Sequence, residues 1–197
     1  MNKPLTLILS LFLAVILVLP VLAANSYEDE VLKFRAEKDA KYKTNSHSPL
    51  TEEIKKDFKG LHYFPVNEQY RFKVKLNEFK KKESLIIITS KGRERKAVRY
   101  GYFDITIDGT ALKLNAYIFD DSPEYLFIPF KDKTSPSKSY GAGRYLDFDL
   151  NKTNEYDLDF NYAYNPYCAY NPKYSCPIPP EENSLPVEIP VGEMKYK

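Results

Sequence analysis

The residues of this chain best suited to chemistry are an aspartate in a loop and an arginine behind a glycine turn. Asp132 lies in Phe127-Ile-Pro-Phe-Lys-Asp-Lys-Thr134, and Arg144 in Ser139-Tyr-Gly-Ala-Gly-Arg-Tyr-Leu146. Gly141 and Gly143 permit positive φ and close backbone approach, and a guanidinium can grip a carboxylate or phosphate bidentately. A Gly-x-Gly outside a strand-to-helix context is weak evidence for an anion site. A tight turn whose arginine pairs with a nearby aspartate is therefore the favoured reading. Asp147/Asp149 and Asp157/Asp159 form two alternating acidic pairs that could hold calcium or shift a pKa if their strands were neighbours. Alternation alone puts acids on any wet strand face, so a solvated face is the simpler reading. His47 and His62 are the two histidines, and His62 sits among apolar residues. No Ser/His/Asp set, Gly-x-Ser-x-Gly elbow or phosphate-binding P-loop is legible.

Both cysteines, five prolines and four tyrosines fall within Tyr164–Asn183. Proline's fixed φ and missing N–H exclude a helix or an interior strand there. The segment is too aromatic for a solvated linker, so residues 164–191 read as a wrapping segment. Its tyrosines form either an aromatic binding platform or apolar cladding, and cladding is favoured. Cys168 and Cys176 are spaced wrongly for common zinc or C-x-x-C redox motifs. In an oxidising compartment they pair as a disulfide.

The N-terminus points to such a compartment. Lys3 precedes the apolar run Leu5–Leu19, Pro20 breaks it, and Val21-Leu-Ala23 offers small residues before a cut. Residues 1–23 read as a signal peptide, with an uncleaved anchor as the alternative; the run of about 18 residues is short for a bilayer span. Residues 24–197 then make one domain located in the periplasm, cell envelope or extracellular space. Without a cysteine at the cut, a lipoprotein anchor is excluded. The 29 basic and 27 acidic residues are interspersed, which gives no reason to invoke nucleic acid. A membrane partner enters only through an uncleaved N-terminus. No cofactor and no metal are expected.

The positioning elements are mostly strands. Ser26 caps a helix carrying Tyr27, Val31, Phe34 and Lys38 on one face, and Glu28, Asp29 and Glu30 suit its start. Ser48-Pro49 signals a second, short helix ending by Gly60. From Tyr70 the period becomes two. Strands are expected at Tyr70–Leu76, Ser84–Thr89, Val98–Ile107, Ala111–Phe119, Tyr125–Phe130, Tyr145–Leu150 and Tyr156–Asn161, with Asp108-Gly109 as a type I′ hairpin turn. Seventeen tyrosines without a tryptophan agree with β structure. The fold class is mainly β: an antiparallel sandwich or small barrel with one or two N-terminal helices.

The chain resembles the uncharacterised bacterial and archaeal domain-of-unknown-function family 1684. The likeness runs through Phe58–Val66, Phe127–Thr134, Tyr140–Leu146, Asp159–Tyr170, Tyr174–Asn183 and Leu185–Val187. It implies a single domain and brings no activity. It marks Asp132, Thr134, Arg144, Asn161, Asn165 and Asn183 as motif residues, which would make one pocket if they converge. On that basis a non-catalytic binder of a small-molecule or glycan ligand is expected, or a structural envelope protein. Asp132, Thr134, Arg144 and Asn165 would supply the polar part of the site, with Tyr140 and Tyr167 as walls. The alternative is a hydrolase with Asp132 as base and Arg144 or His62 stabilising negative charge.

Overall fold

The computed structural model describes residues 26–196; the segment read as an export signal lies outside the described residues. Helix α1 (Tyr27–Thr44) opens with a reciprocal capping box. Ser26 Oγ accepts from the Asp29 amide at 3.2 Å, and Asp29 Oδ2 accepts from the Ser26 amide at 3.0 Å. Such a cap contributes about 1 kcal/mol. The buried stripe of α1 is Val31, Arg35 and Tyr42, with Lys38 half-buried between them, whereas Phe34 stays at the rim. Helix α2 (Glu52–Asp57) is capped by Thr51, not by Ser48. Ser48 Oγ instead accepts from the Leu50 amide, closing a local turn before the helix begins. Among the described residues no helix is long and apolar enough to cross a membrane.

The rest is mostly β, in two antiparallel sheets. A five-stranded meander runs β2 (Asn77–Ile88), β3 (Glu94–Ile107), β4 (Thr110–Phe119), β5 (Ser122–Phe130) and β6 (Arg144–Asp149). A separate ribbon joins β1 (Arg71–Lys75) to β7 (Glu155–Asp159), with Arg71 opposite Asp159 and Lys75 opposite Glu155. Asp108 and Gly109 both take positive φ, 49° and 75°, at the β3–β4 turn. That is the geometry in which a two-residue loop matches the strand twist.

A bulge at Arg99–Gly101 moves β3 by one residue against β4. Ala97 and Phe103 therefore join different clusters despite their even spacing. Phe103, Ile105, Leu114, Leu126, Ile128 and Phe130 meet Leu158 and Phe160 in the main core. A smaller apolar cluster gathers Ile87, Tyr117, Phe119, Phe127 and Tyr145.

The wrapping segment completes the main core. Leu185, Val187, Ile189 and Val191 are buried at alternate positions, with Pro186 and Glu188 turned outward. This stretch lies along residues 131–133: the Leu185 amide donates to the Lys131 carbonyl and the Lys133 amide to the Val187 carbonyl, each at 2.8 Å. Further upstream, Cys176–Ile178 pairs beside the end of β2, through Ser90 to the Cys176 carbonyl and Ile178 to the Ile88 carbonyl.

Candidate functional site

Arg144 opens β6 and is fully buried. One terminal nitrogen donates to Asp132 Oδ2 at 2.7 Å and to the Ile189 carbonyl at 2.8 Å; the other donates to the Val191 and Glu193 carbonyls. The second oxygen of Asp132 accepts from the amides of Thr134 and Ile189. Thr134, also fully buried, donates to Ser139 Oγ at 2.8 Å. Burial presses the pKa of Arg144 downward and the facing Asp132 carboxylate pulls it back. Gly143, at φ +99°, leaves no room for a side chain: a Cβ there would stand 2.6 Å from the Phe130 carbonyl oxygen. The glycine turn exists to bring Arg144 inside.

Glu193 forms a second centre that sequence reasoning missed. It is buried, paired to Lys38 Nζ of α1 at 2.5 Å, and accepts from the Asn165 amide at 2.8 Å and from the Tyr170 hydroxyl. Asn165 Nδ2 donates to the Met194 carbonyl at 2.7 Å. Asp132, Arg144 and Asn165 thus converge, but on residues 189–194 of their own chain and not on an open pocket, while Thr134 backs Asp132.

The other motif asparagines also serve backbone. Pro129 of β5 stands where a donor to Asn115 of β4 belongs and has no N–H to give. Asn183 fills the gap, accepting from the Asn115 amide and donating to the Asn115 and Pro129 carbonyls. Asn161 does the same for Asn67, accepting from its amide and donating to its carbonyl, both at 2.9 Å.

Tyr140 and Tyr167 lie outside this centre, around the cysteines. Cys168 and Cys176 stand side by side as free cysteines, with the Cys168 amide 3.2 Å from Cys176 Sγ. Hydrogen bonding from Cys176, helped by the Tyr140 hydroxyl, lowers the Cys168 pKa to about 6, while the same contact pushes Cys176 up. Tyr167 is exposed, its ring against Tyr174. His62 is exposed beside Glu53, Asp57 and Tyr196 on the α2 side. Among the described residues, no three His, Cys, Asp or Glu side chains are placed to hold a metal ion.

A concave, mostly apolar site does exist, at the seam between the sheets. Apart from a bridge between Tyr145 and Tyr164, β6 pairs with no strand but β5, and β7 with none but β1, and their facing flanks leave a cleft of about 280 Å³. Phe34 of α1, Leu146, Phe148 and Tyr162 wall it, and Phe34 meets Tyr162 edge-on at 4.8 Å. Asp147, Asp157, Asp159 and Tyr164 supply its polar atoms.

The three carboxylates differ. Asp157 is held by Arg71 through three contacts of 2.5–3.0 Å. Asp159 is buried, not on the wet face expected from alternation, and accepts from Tyr27 Oη and from the Asn161 amide and side chain. Asp147 is exposed at the edge of the cleft, where desolvation by the surrounding protein raises its pKa; the Tyr164 hydroxyl donates to it and opposes that shift. Tyr164 stays protonated because burial and Asp147 push its own pKa well up. Wider depressions lie elsewhere on the described residues. One of about 710 Å³ runs between β1 and the β3–β4 hairpin, lined by Arg71, Lys73, Asp104 and Lys113; others lie along the β1–β7 ribbon at Val74 and Tyr156, by His62, and over Leu85 and Ala97 of β2 and β3.

Comparison with known proteins gives a consistent result. The family model described as "Protein of unknown function (DUF1684)" matches residues 56–194. The solution NMR structure of an uncharacterized protein from gene locus rrnAC0354 of Haloarcula marismortui is similar in fold, with a TM-score of 0.65 and 34% identity. The match covers 85% of this chain and 94% of that one. No curated protein matches.

Proposed function

The chain belongs to the DUF1684 family, and from that premise and the geometry above we propose that it is a non-catalytic binder of a small ligand, acting outside the cytoplasm. The observation that carries the binding reading is the cleft between β6 and β7, concave and aromatic, with Asp147 and Tyr164 at its polar end. The Arg144 and Glu193 centres support it from behind. Arg144 anchors the start of the strand that presents Asp147. Glu193 fixes Asn165, next to Tyr164, and through Lys38 it fixes α1, which carries Phe34. Binding sites work best when the residues that touch the ligand are held by such a supporting layer.

Nothing in the geometry points to a hydrolase. Asp132 and Arg144 are paired with each other and closed off from solvent, so neither can meet a substrate.

Export is the finer part of the proposal. It is supported by the apolar run Leu5–Leu19 and the Val21-Leu-Ala23 cut site, and by a helix whose capping box begins just beyond, at Ser26. In an oxidising compartment Cys168 and Cys176 join as a disulfide. Intact mass and N-terminal sequence of protein secreted by an expressing cell test both points. Export with oxidation gives a chain starting at Ala24 and lighter by two hydrogens; a retained chain starting at Met1 overturns export. The binding reading is tested by an unbiased ligand screen followed by NMR. Ligand-induced shifts clustered on Phe34, Asp147 and Tyr162 are expected, and hits confined to the other depressions would defeat the assignment.

A further inference from the structure

Of the three acids in the β6–β7 cleft, only Asp147 has no basic partner and no full set of hydrogen bonds. Asp157 is neutralised by Arg71, and Asp159 is surrounded by Tyr27 and Asn161 donors. Asp147 receives the Tyr164 hydroxyl, and among the described residues no lysine or arginine is paired with it. The nearest candidate, Lys38 Nζ, lies over the Tyr164 ring at 4.9 Å but is tied to Glu193. A carboxylate at the edge of an aromatic cleft is thus left without a paired counter-charge.

We propose that this cleft takes a small organic ammonium ion, with Asp147 as its counter-charge and the rings of Phe34, Phe148, Tyr162 and Tyr164 as its walls. The inference rests on the binding reading above and names the chemistry of the ligand.

Three comparisons select that class. A calcium ion needs about six to eight oxygen ligands, and the cleft offers one carboxylate, Asp147, that Arg71, Tyr27 or Asn161 does not already occupy. A sugar needs many converging donors and acceptors, whereas the Tyr164 hydroxyl and the Asp157 and Asp159 oxygens already have partners inside the protein. An alkylated ammonium asks for little hydrogen bonding, sheds its hydration readily, and is attracted both by a carboxylate and by aromatic faces. The volume of about 280 Å³ lies at the lower edge of small-molecule sites, which fits a ligand of few heavy atoms.

The test is an NMR titration of the purified protein with choline, with its neutral isostere 3,3-dimethylbutan-1-ol, and with glucose. Choline is expected to shift the signals of Phe34, Tyr162 and Asp147, with the neutral isostere at least about tenfold weaker. Asp147→Asn, which keeps the side-chain shape, is expected to remove that preference, and Phe34→Ala at the rim to weaken choline without unfolding the protein. Equal binding of choline and the neutral alcohol, or glucose binding in preference to both, overturns the ammonium assignment while leaving the cleft as the binding site. Failure of all three probes, together with an empty unbiased screen, overturns the ammonium assignment and the binding reading alike.

Discussion

Arg144 and Asp147 stand three residues apart on β6, and their side chains meet opposite conditions. Arg144 points into a centre where its terminal nitrogens have partners, two chain segments close over it, and solvent is excluded. Asp147 faces a seam where two sheets fail to join, with a tyrosine hydroxyl on one oxygen and no basic side chain paired with it. A buried ion whose charge is met inside the chain defines a fold, because removing either partner strands the other. An ion without a paired charge in a concave, accessible place has capacity left for something outside the chain. The distinction between building and binding is thus one of paired charge, and residue type alone does not reveal it.

The largest expected effect comes from breaking the paired side. Arg144→Met leaves Asp132 buried without its partner and should lower stability by roughly 3–5 kcal/mol, read as the urea midpoint. Adding Asp132→Leu should recover part of that loss, since an apolar pair no longer strands a charge. A stable Arg144→Met protein with altered ligand binding would erase the comparison. Next, Asn183→Ala removes the amide that bridges β4 and β5 at Pro129. Stranded backbone groups cost about 1–3 kcal/mol, again as a shift in urea midpoint with an unchanged slope.

The open side predicts a smaller change of opposite sign. The folded-state pKa of Asp147 is raised above its usual 3.8. The folded protein therefore holds that proton more tightly than the unfolded chain, and stability is lost as pH rises through the raised pKa. Asp147→Asn should melt higher than wild type above that window, and the gain should vanish below pH 3.8. Melting temperatures across pH check this; a mutant destabilised at neutral pH would place Asp147 with the builders. The smallest effect concerns the cysteines. In the reduced protein, alkylation of Cys168 should rise with a midpoint at pH about 6, with Cys176 lagging. Mass-spectrometric peptide mapping reads both, and equal rates would show that the two sulfurs do not share a proton.

Much of the frame was legible because local chemistry set it. Asp108-Gly109 demanded its turn, Ser26 and Asp29 demanded a helix start, and alternation marked most strands. β2 was read short, from Ser84, because its first half, Asn77–Glu83, is charged on both faces. It is an edge strand, where lysines deter pairing with another chain. The Leu185–Val191 alternation hid behind Pro186 and Pro190, which mask a strand-like run while leaving its inward residues intact. The candidate site was less legible. The Arg144–Asp132 pair follows from the plain reading of the glycine turn, but the roles of Glu193 and Lys38 depend on contacts across the whole chain. That Asp147 and Asp159 share a cleft depends on two strands that are near without being paired, and no periodicity encodes a missing pairing.

The Arg144 clamp also sets an order of events. Its three carbonyl partners belong to residues 189–193, which follow every strand in the chain. While the polypeptide is being made, β1 to β7 all emerge before the segment that closes over the guanidinium. Until then the guanidinium lacks its three carbonyl acceptors, and Ile189 and Val191 are missing from the core. Completion of the core therefore waits on a short distal stretch. A chain stopped at Glu188 should stay open to proteases, although it contains all seven strands.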